Sequence, residues 1–122
     1  MIRVNVAHEK IFDVDLIKFK GKLTNATTKK FSNNVYLYVK QNCHVILDMT
    51  DCEFISNAGF KFLVLLDRDI LSKWGKLVIV GLNQEIIETM NLTGFENIFS
   101  IYSNVYEVFD AWKIGGKYAK NR

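Results

Sequence analysis

The chain has 122 residues, 49% of them apolar and 24% charged, with 16 basic and 13 acidic side chains and a net charge of +3. This balance suits one folded domain and excludes a disordered chain, which needs fewer apolar residues and a larger charge excess. It also excludes a nucleic-acid footprint, because Lys18, Lys20, Lys22, the Lys29-Lys30 pair and the tail cations Lys113, Lys117, Lys120 and Arg122 do not make a dense basic stripe with stacking aromatics.

Ile2, Val4 and Val6 alternate with Arg3 and Asn5, which predicts a strand over 2–7. Phe12, Val14 and Leu16 continue the alternation. Ile17 and Phe19 then fall on the other parity, as a bulge or a strand buried on both faces requires, and Gly21 is read as its end. Thr24 or Asn25 can cap a helix carrying Thr28, Phe31, Val35, Tyr38, Val39 and Asn42 on one face. The apolar run 45–49 reads as a central parallel strand, buried on both sides. Residues 50–55 lead into Ser56-Asn57-Ala58-Gly59 and a long helix to about Lys73, with Phe60, Leu63, Leu66, Ile70 and Trp74 inward and Gly75 as its left-handed cap.

Residues 77–80 form another short buried strand. Asn83 caps a helix through Asn91 with Ile86, Ile87 and Met90 inward, and 92–95 make a turn. Residues 98–102 are the last strand. Asn104 and Glu107 have capping-box spacing and open a final helix with Val105, Val108, Phe109 and Trp112 inward. Gly115-Gly116 is expected to end it, and 117–122 to fray. The order β-β-α-β-α-β-α-β-α predicts one α/β domain over residues 1–122, with a mixed, largely parallel sheet of about five strands, about four helices and the first strand antiparallel near an edge.

Little in the sequence points to catalysis. The chain has neither GxGxxG nor GxxxxGK[ST] nor GxSxG. Cys43, Cys52, His8 and His44 have no zinc spacing, so the cysteines read as reduced thiols, and no metal or cofactor is expected. His44 and Ser56 lie at opposite ends of one strand segment, too far apart to act together. Asp48 sits where receiver domains carry a phospho-accepting Asp, but His8-Glu9-Lys10 and a second strand stand where the acidic metal-holding cluster should be. Asp48 therefore reads as a cap for nearby amides, and Asp51 and Glu53 as part of a solvated loop. No run approaches the ~18 apolar residues of a membrane span, and a basic start followed by an apolar run is absent, so a cytoplasmic protein is expected.

The stretch from Val45 to Phe60, VILDMTDCEFISNAGF, resembles the signature of the STAS family, which includes bacterial anti-sigma factor antagonists. Members read as an apolar strand ending in Asp-Leu or Asn-Leu, a short loop, Phe-Ile/Met-Asp-Ser-Ser/Thr-Gly, and a long helix. Leu92-Thr93-Gly94-Phe95 is similar to the family's Leu-Ser/Thr-Gly-Leu turn, and Gly21-Lys22-Leu23 to its Gly-Glu/Arg-Leu. The resemblance implies a non-enzymatic module that docks a protein partner, an anti-sigma factor or serine-kinase-like regulator, through the loop and the start of the next helix. It places partner contacts at Thr24, Asn25, Ser56, Asn57, Ala58 and Gly59.

In the family the kinase phosphorylates the Ser two residues before the Gly, and a phosphate adds about −1.5 to −2 charge, enough to expel a packed partner. That Ser corresponds to Asn57, which has no hydroxyl. The preceding Asp corresponds to Ser56, the following Ser/Thr to Ala58, and the Asp often found after the first-helix Leu to Thr24; Gly59 is unchanged. Asn57 would still serve as an N-cap, and Ser56 is a possible shifted phosphosite. Two other functions fit the same chain: a STAS subunit of a membrane transport or stress-sensing assembly, and a nucleotide-binding protein or enzyme.

Overall fold

The computed structural model describes residues 3–113. Strand β1 (Asn5–Ile11) turns through Phe12-Asp13 into β2 (Val14–Leu23), and the two pair antiparallel. Phe12 and Asp13 have φ of +50° and +67°, the conformation that a two-residue hairpin turn demands at both central positions. Helix α1 (Thr28–Val35) continues into a 3₁₀ turn, Tyr36–Tyr38. Strand β3 (His44–Ile55), helix α2 (Asn57–Ser72), strand β4 (Lys76–Val80), helix α3 (Gln84–Thr93), a 3₁₀ turn Phe95–Asn97, strand β5 (Ser100–Tyr102) and helix α4 (Val105–Trp112) follow.

Among the described residues the five strands lie in one sheet in the order β1-β2-β3-β4-β5, with every neighbouring pair after the first parallel. This is the mixed, largely parallel α/β sheet that the alternation of elements implied.

Side-chain parity splits the core in two. Ile17, Phe19, Val45, Leu47, Met49, Leu77 and Ile79 face α1, α2 and α3, where Phe31, Val35, Phe60, Leu63, Leu66, Ile70, Ile86 and Met90 meet them. Val14, Leu16, Ile46, Val78 and Val80 face the other way, against Val108 and Phe109 of α4. This explains the shift of parity in β2: its first half is buried on both faces. In its second half Lys18, Lys20 and Lys22 emerge on the side that α4 leaves open, so the alternating lysines are a solvated sheet face.

Several element boundaries differ from the sequence reading. The first strand runs 5–11 rather than 2–7, and β2 passes Gly21 to end at Leu23. Neither Thr24 nor Asn25 caps α1. The Thr27 hydroxyl instead donates to Lys22 O at 2.7 Å and accepts from Thr24 N at 2.9 Å, closing a turn before the helix starts. Strand β3 extends to Ile55, so Asp51 and Glu53 lie on a strand. Its far half shows register shifts against β2, between Lys18 and Lys20 and between Gly21 and Lys22.

Helix α2 ends at Ser72, with Trp74 and not Gly75 in the left-handed conformation (φ +63°). Trp74 is 82% exposed, outside the core it was assigned to. A Cβ on Gly75 would lie 2.6 Å from Cys43 O, so this glycine serves close backbone approach. Helix α3 runs through Thr93, β5 is only three residues long, and α4 ends with Lys113 left-handed. Gly115-Gly116 and the tail 117–122 lie outside the described residues.

Candidate functional site

In a parallel sheet the loops after the strands collect at one end. Here β2 and β3 end side by side, with Leu23 paired to Ile55, so the two loops that follow are neighbours. One carries Thr24 and Asn25, the other Ser56, Asn57, Ala58 and Gly59. The structure thus brings all six sequence-predicted site residues to one end of the sheet.

Leu23 O is where the two loops meet. It accepts from Ser56 N at 2.9 Å, and a Cβ placed on Gly59 would lie 2.6 Å from it. Only a glycine allows the first turn of α2 to pack this closely against the end of β2. On the first loop, Thr24 O accepts from Thr27 N and Thr28 N, both at 3.0 Å, and the Thr24 hydroxyl accepts from Ala26 N at 3.2 Å. The loop after β4 is tied to strand β3: Asn83 Nδ2 donates to Cys52 O at 3.3 Å, while Asn83 Oδ1 caps α3 by accepting from Ile86 N at 2.8 Å.

The N-cap of α2 is Ser56, not Asn57. The Ser56 hydroxyl oxygen accepts from Gly59 N at 3.1 Å in extended backbone (φ −80°, ψ 172°). Asn57 is the first helical residue and is exposed, with its side chain free to meet another molecule; Ser56 and Ala58 are half-buried and Gly59 is buried. Replacing Ser56 by Ala should cost about 1 kcal/mol, read as a melting point lower by about 4 °C. An unchanged melting point would show that the cap bond contributes nothing.

Sequence reasoning missed Phe54. The register shifts in β3 bring it opposite Lys22, two residues before the loop, and leave it 45% exposed. The signal was present only indirectly, as an apolar residue on the wrong parity for a simple strand.

The remaining candidates are structural. Asp48 Oδ1 accepts from Thr50 N at 3.0 Å and from the Thr50 hydroxyl at 2.6 Å, the capping arrangement its position suggested. His44 begins the twelve-residue β3 and its ring sits edge-on to Trp112 at 5.2 Å, roughly 35 Å of strand away from Ser56. Burial pushes the Cys52 thiol up to about 11, so it stays protonated at neutral pH and is no nucleophile. Among the described residues no group of three or more His, Cys, Asp or Glu side chains is placed to hold a metal ion. No described helix is long and apolar enough to cross a membrane.

Comparison with known proteins agrees with this architecture. A Bordetella bronchiseptica protein, BtrV, whose name assigns it as an anti-sigma factor antagonist, is 24% identical over 94 residues, covering 76% of this chain and 81% of its own. The crystal structure of an anti-sigma factor antagonist from Mycobacterium paratuberculosis superposes with a TM-score of 0.79 at 17% identity, covering 89% of this chain and 93% of that one. The murine anion transporter Slc26a9 also contains the fold, with a TM-score of 0.71 at 14% identity over 87% of this chain and 21% of the transporter. The family model for the STAS domain matches residues 5–108, from the first strand into the last helix, and the chain therefore belongs to the STAS-domain family.

Proposed function

We propose that this chain is a regulatory docking module of the anti-sigma-antagonist kind, which binds an anti-sigma factor or serine-kinase-like protein through the Ser56–Gly59 loop and the first turns of α2. The observation that carries the reading is the joining of two loops at Leu23 O, with Asn57 exposed at the start of α2. Thr24 and Asn25 flank the contact, and Phe54 supplies an apolar anchor beside it.

By its resemblance to the family signature, Asn57 occupies the position of the phosphorylated Ser. The chain is therefore held in the binding-competent form at that position, or is regulated elsewhere. Ser56 is the one hydroxyl within Ser56–Gly59, and intact-mass analysis of protein from its native cell tests whether it carries phosphate. The reading places the protein in the cytoplasm, where sigma factors meet RNA polymerase. Slc26a9 shares the fold, but this chain spans only a fifth of it, and nothing in the loops favours a transporter role.

Replacing Asn57 by Glu tests the reading. A negative charge at the first turn of a helix is electrostatically welcome, so the fold should be unharmed. The docked partner, however, would have to bury or oppose the new charge. A protein retained from native lysate by the wild-type bait should bind the variant at least about tenfold more weakly by calorimetry, equivalent to about 1.4 kcal/mol. Equal affinity would remove this loop from the interface.

A further inference from the structure

Charge in this chain is sorted along the sequence. Residues 1–40 carry eight Lys or Arg and three acidic side chains, a net +5. Residues 77–112 carry five acidic side chains and no Lys or Arg, a net −5. Because the strands lie in the sheet in chain order, this asymmetry becomes spatial. The β1, β2 and α1 side of the molecule is basic on balance, with Arg3, Lys20, Lys29 and Lys30 exposed; the β3 carboxylates Asp51, opposite Lys20, and Glu53, in the cleft lined by Arg3, Lys20 and Lys30, offset part of that charge. The α3 and β5 side is acidic, with Glu85, Glu88 and Glu96 exposed.

The two edges are independent in solution. Four inter-strand spacings put β1 and β5 about 20 Å apart. The screening length at physiological salt is about 8 Å, so neither edge neutralises the other. Each side also presents an exposed leucine. Leu37 follows α1 and is 73% exposed, and Leu92, one helical turn after Glu88, is 89% exposed.

We infer that the basic edge of one copy docks on the acidic edge of a second copy, head to tail. A second copy is the occupant that matches both edges at once, since each contact leaves one free edge of each sign. Such a contact is heterologous and builds chains or closed rings rather than a two-fold dimer. The docking loops lie between the two edges, at the ends of β2 and β3, and stay open in the array.

Sedimentation velocity on the full chain across a concentration series tests this. At about 0.1 M salt, where the screening length of about 10 Å is still shorter than the distance between the edges, the weight-average mass should rise at least about twofold with concentration; at about 1 M it should be that of the monomer. The Lys20→Glu/Lys29→Glu variant should stay monomeric, as should Glu88→Lys/Glu96→Lys. An equimolar mixture of the two should associate again, because the reversed edges complement each other and so do the unreversed ones. That recovery also shows that both variants are folded. A wild-type chain that remains monomeric at low salt overturns the inference, as does association that survives reversal at either edge. Loss of association on replacing only Lys117, Lys120 and Arg122 by Gln would assign the positive partner to the tail and overturn it as well.

Discussion

Replacing Phe60 by Ala is expected to cost about 3 to 5 kcal/mol, in a protein whose whole stability should lie at about 5 to 15 kcal/mol. Phe60 is 1% exposed in the first turn of α2. Its ring stacks on Phe95 at 4.9 Å and 16°, joining the start of α2 to the segment after α3. Removing it leaves a cavity under the Ser56–Gly59 loop which the sheet beneath cannot collapse to fill. Urea unfolding measures the loss as a lower midpoint at an unchanged slope. A loss below about 1 kcal/mol would mean that α2 is not seated as described. Asn57 rides on the same turn, so the variant should also bind the partner less well.

Replacing Gly59 by Val is expected to cost about 3 kcal/mol, and its sign is diagnostic. Helix propensity alone favours Val over Gly by a few tenths of a kcal/mol. Sterics oppose it. The added Cβ would lie 2.6 Å from Leu23 O, 2.9 Å from Ile55 Cγ2 and 3.1 Å from Leu23 Cγ. The nearest of these is a backbone carbonyl already accepting from Ser56 N, so it cannot move without breaking that bond. Thermal unfolding of the variant separates the two effects, because a neutral or raised melting point would show that the close approach at Leu23 is absent. Where the variant is too unstable to purify, Gly59→Ala carries the same Cβ and the same expected sign.

Much of the fold was legible because periodicity reports burial, and burial here is orderly. The run 45–49 is apolar without alternation because both sheet faces are covered there, and it lies within β3 as expected. The caps Asn83 and Asn104 stand where their side chains predicted, Asn104 Oδ1 accepting from Glu107 N at 3.1 Å. The boundaries were less legible where the chain takes left-handed turns with residues that do not advertise them. Phe12, Trp74 and Lys113 all have positive φ. Gly75, one residue after Trp74, drew the assignment that belonged to its neighbour. The exposed half of β3 looked like a loop because its polar residues face solvent where α4 does not reach.

The candidate site was legible in composition but not in local geometry. Resemblance singled out two loops, and the pairing of Leu23 with Ile55 places them together. Asn57 and Ser56 both make good caps, and only the backbone decides which precedes the helix. Phe54 was hidden because a register shift in β3 changes which face its side chain takes.

The chain-order arrangement of the strands also bears on how the molecule forms. Each strand after the first adds to the growing edge of the sheet beside its immediate predecessor, and none has to be inserted between two already in place. Only the β1–β2 hairpin closes locally; each parallel pairing, such as Asp15 with Val45 or His44 with Lys76, must first close a loop through a crossover helix, which slows folding. A nascent chain can lay down β1, β2 and β3, and with them the Leu23 junction, while the second half is still being synthesised. Helix α4 follows β5 and covers Ile46 and Val78 on the opposite face, so the second core closes only after all five strands have emerged.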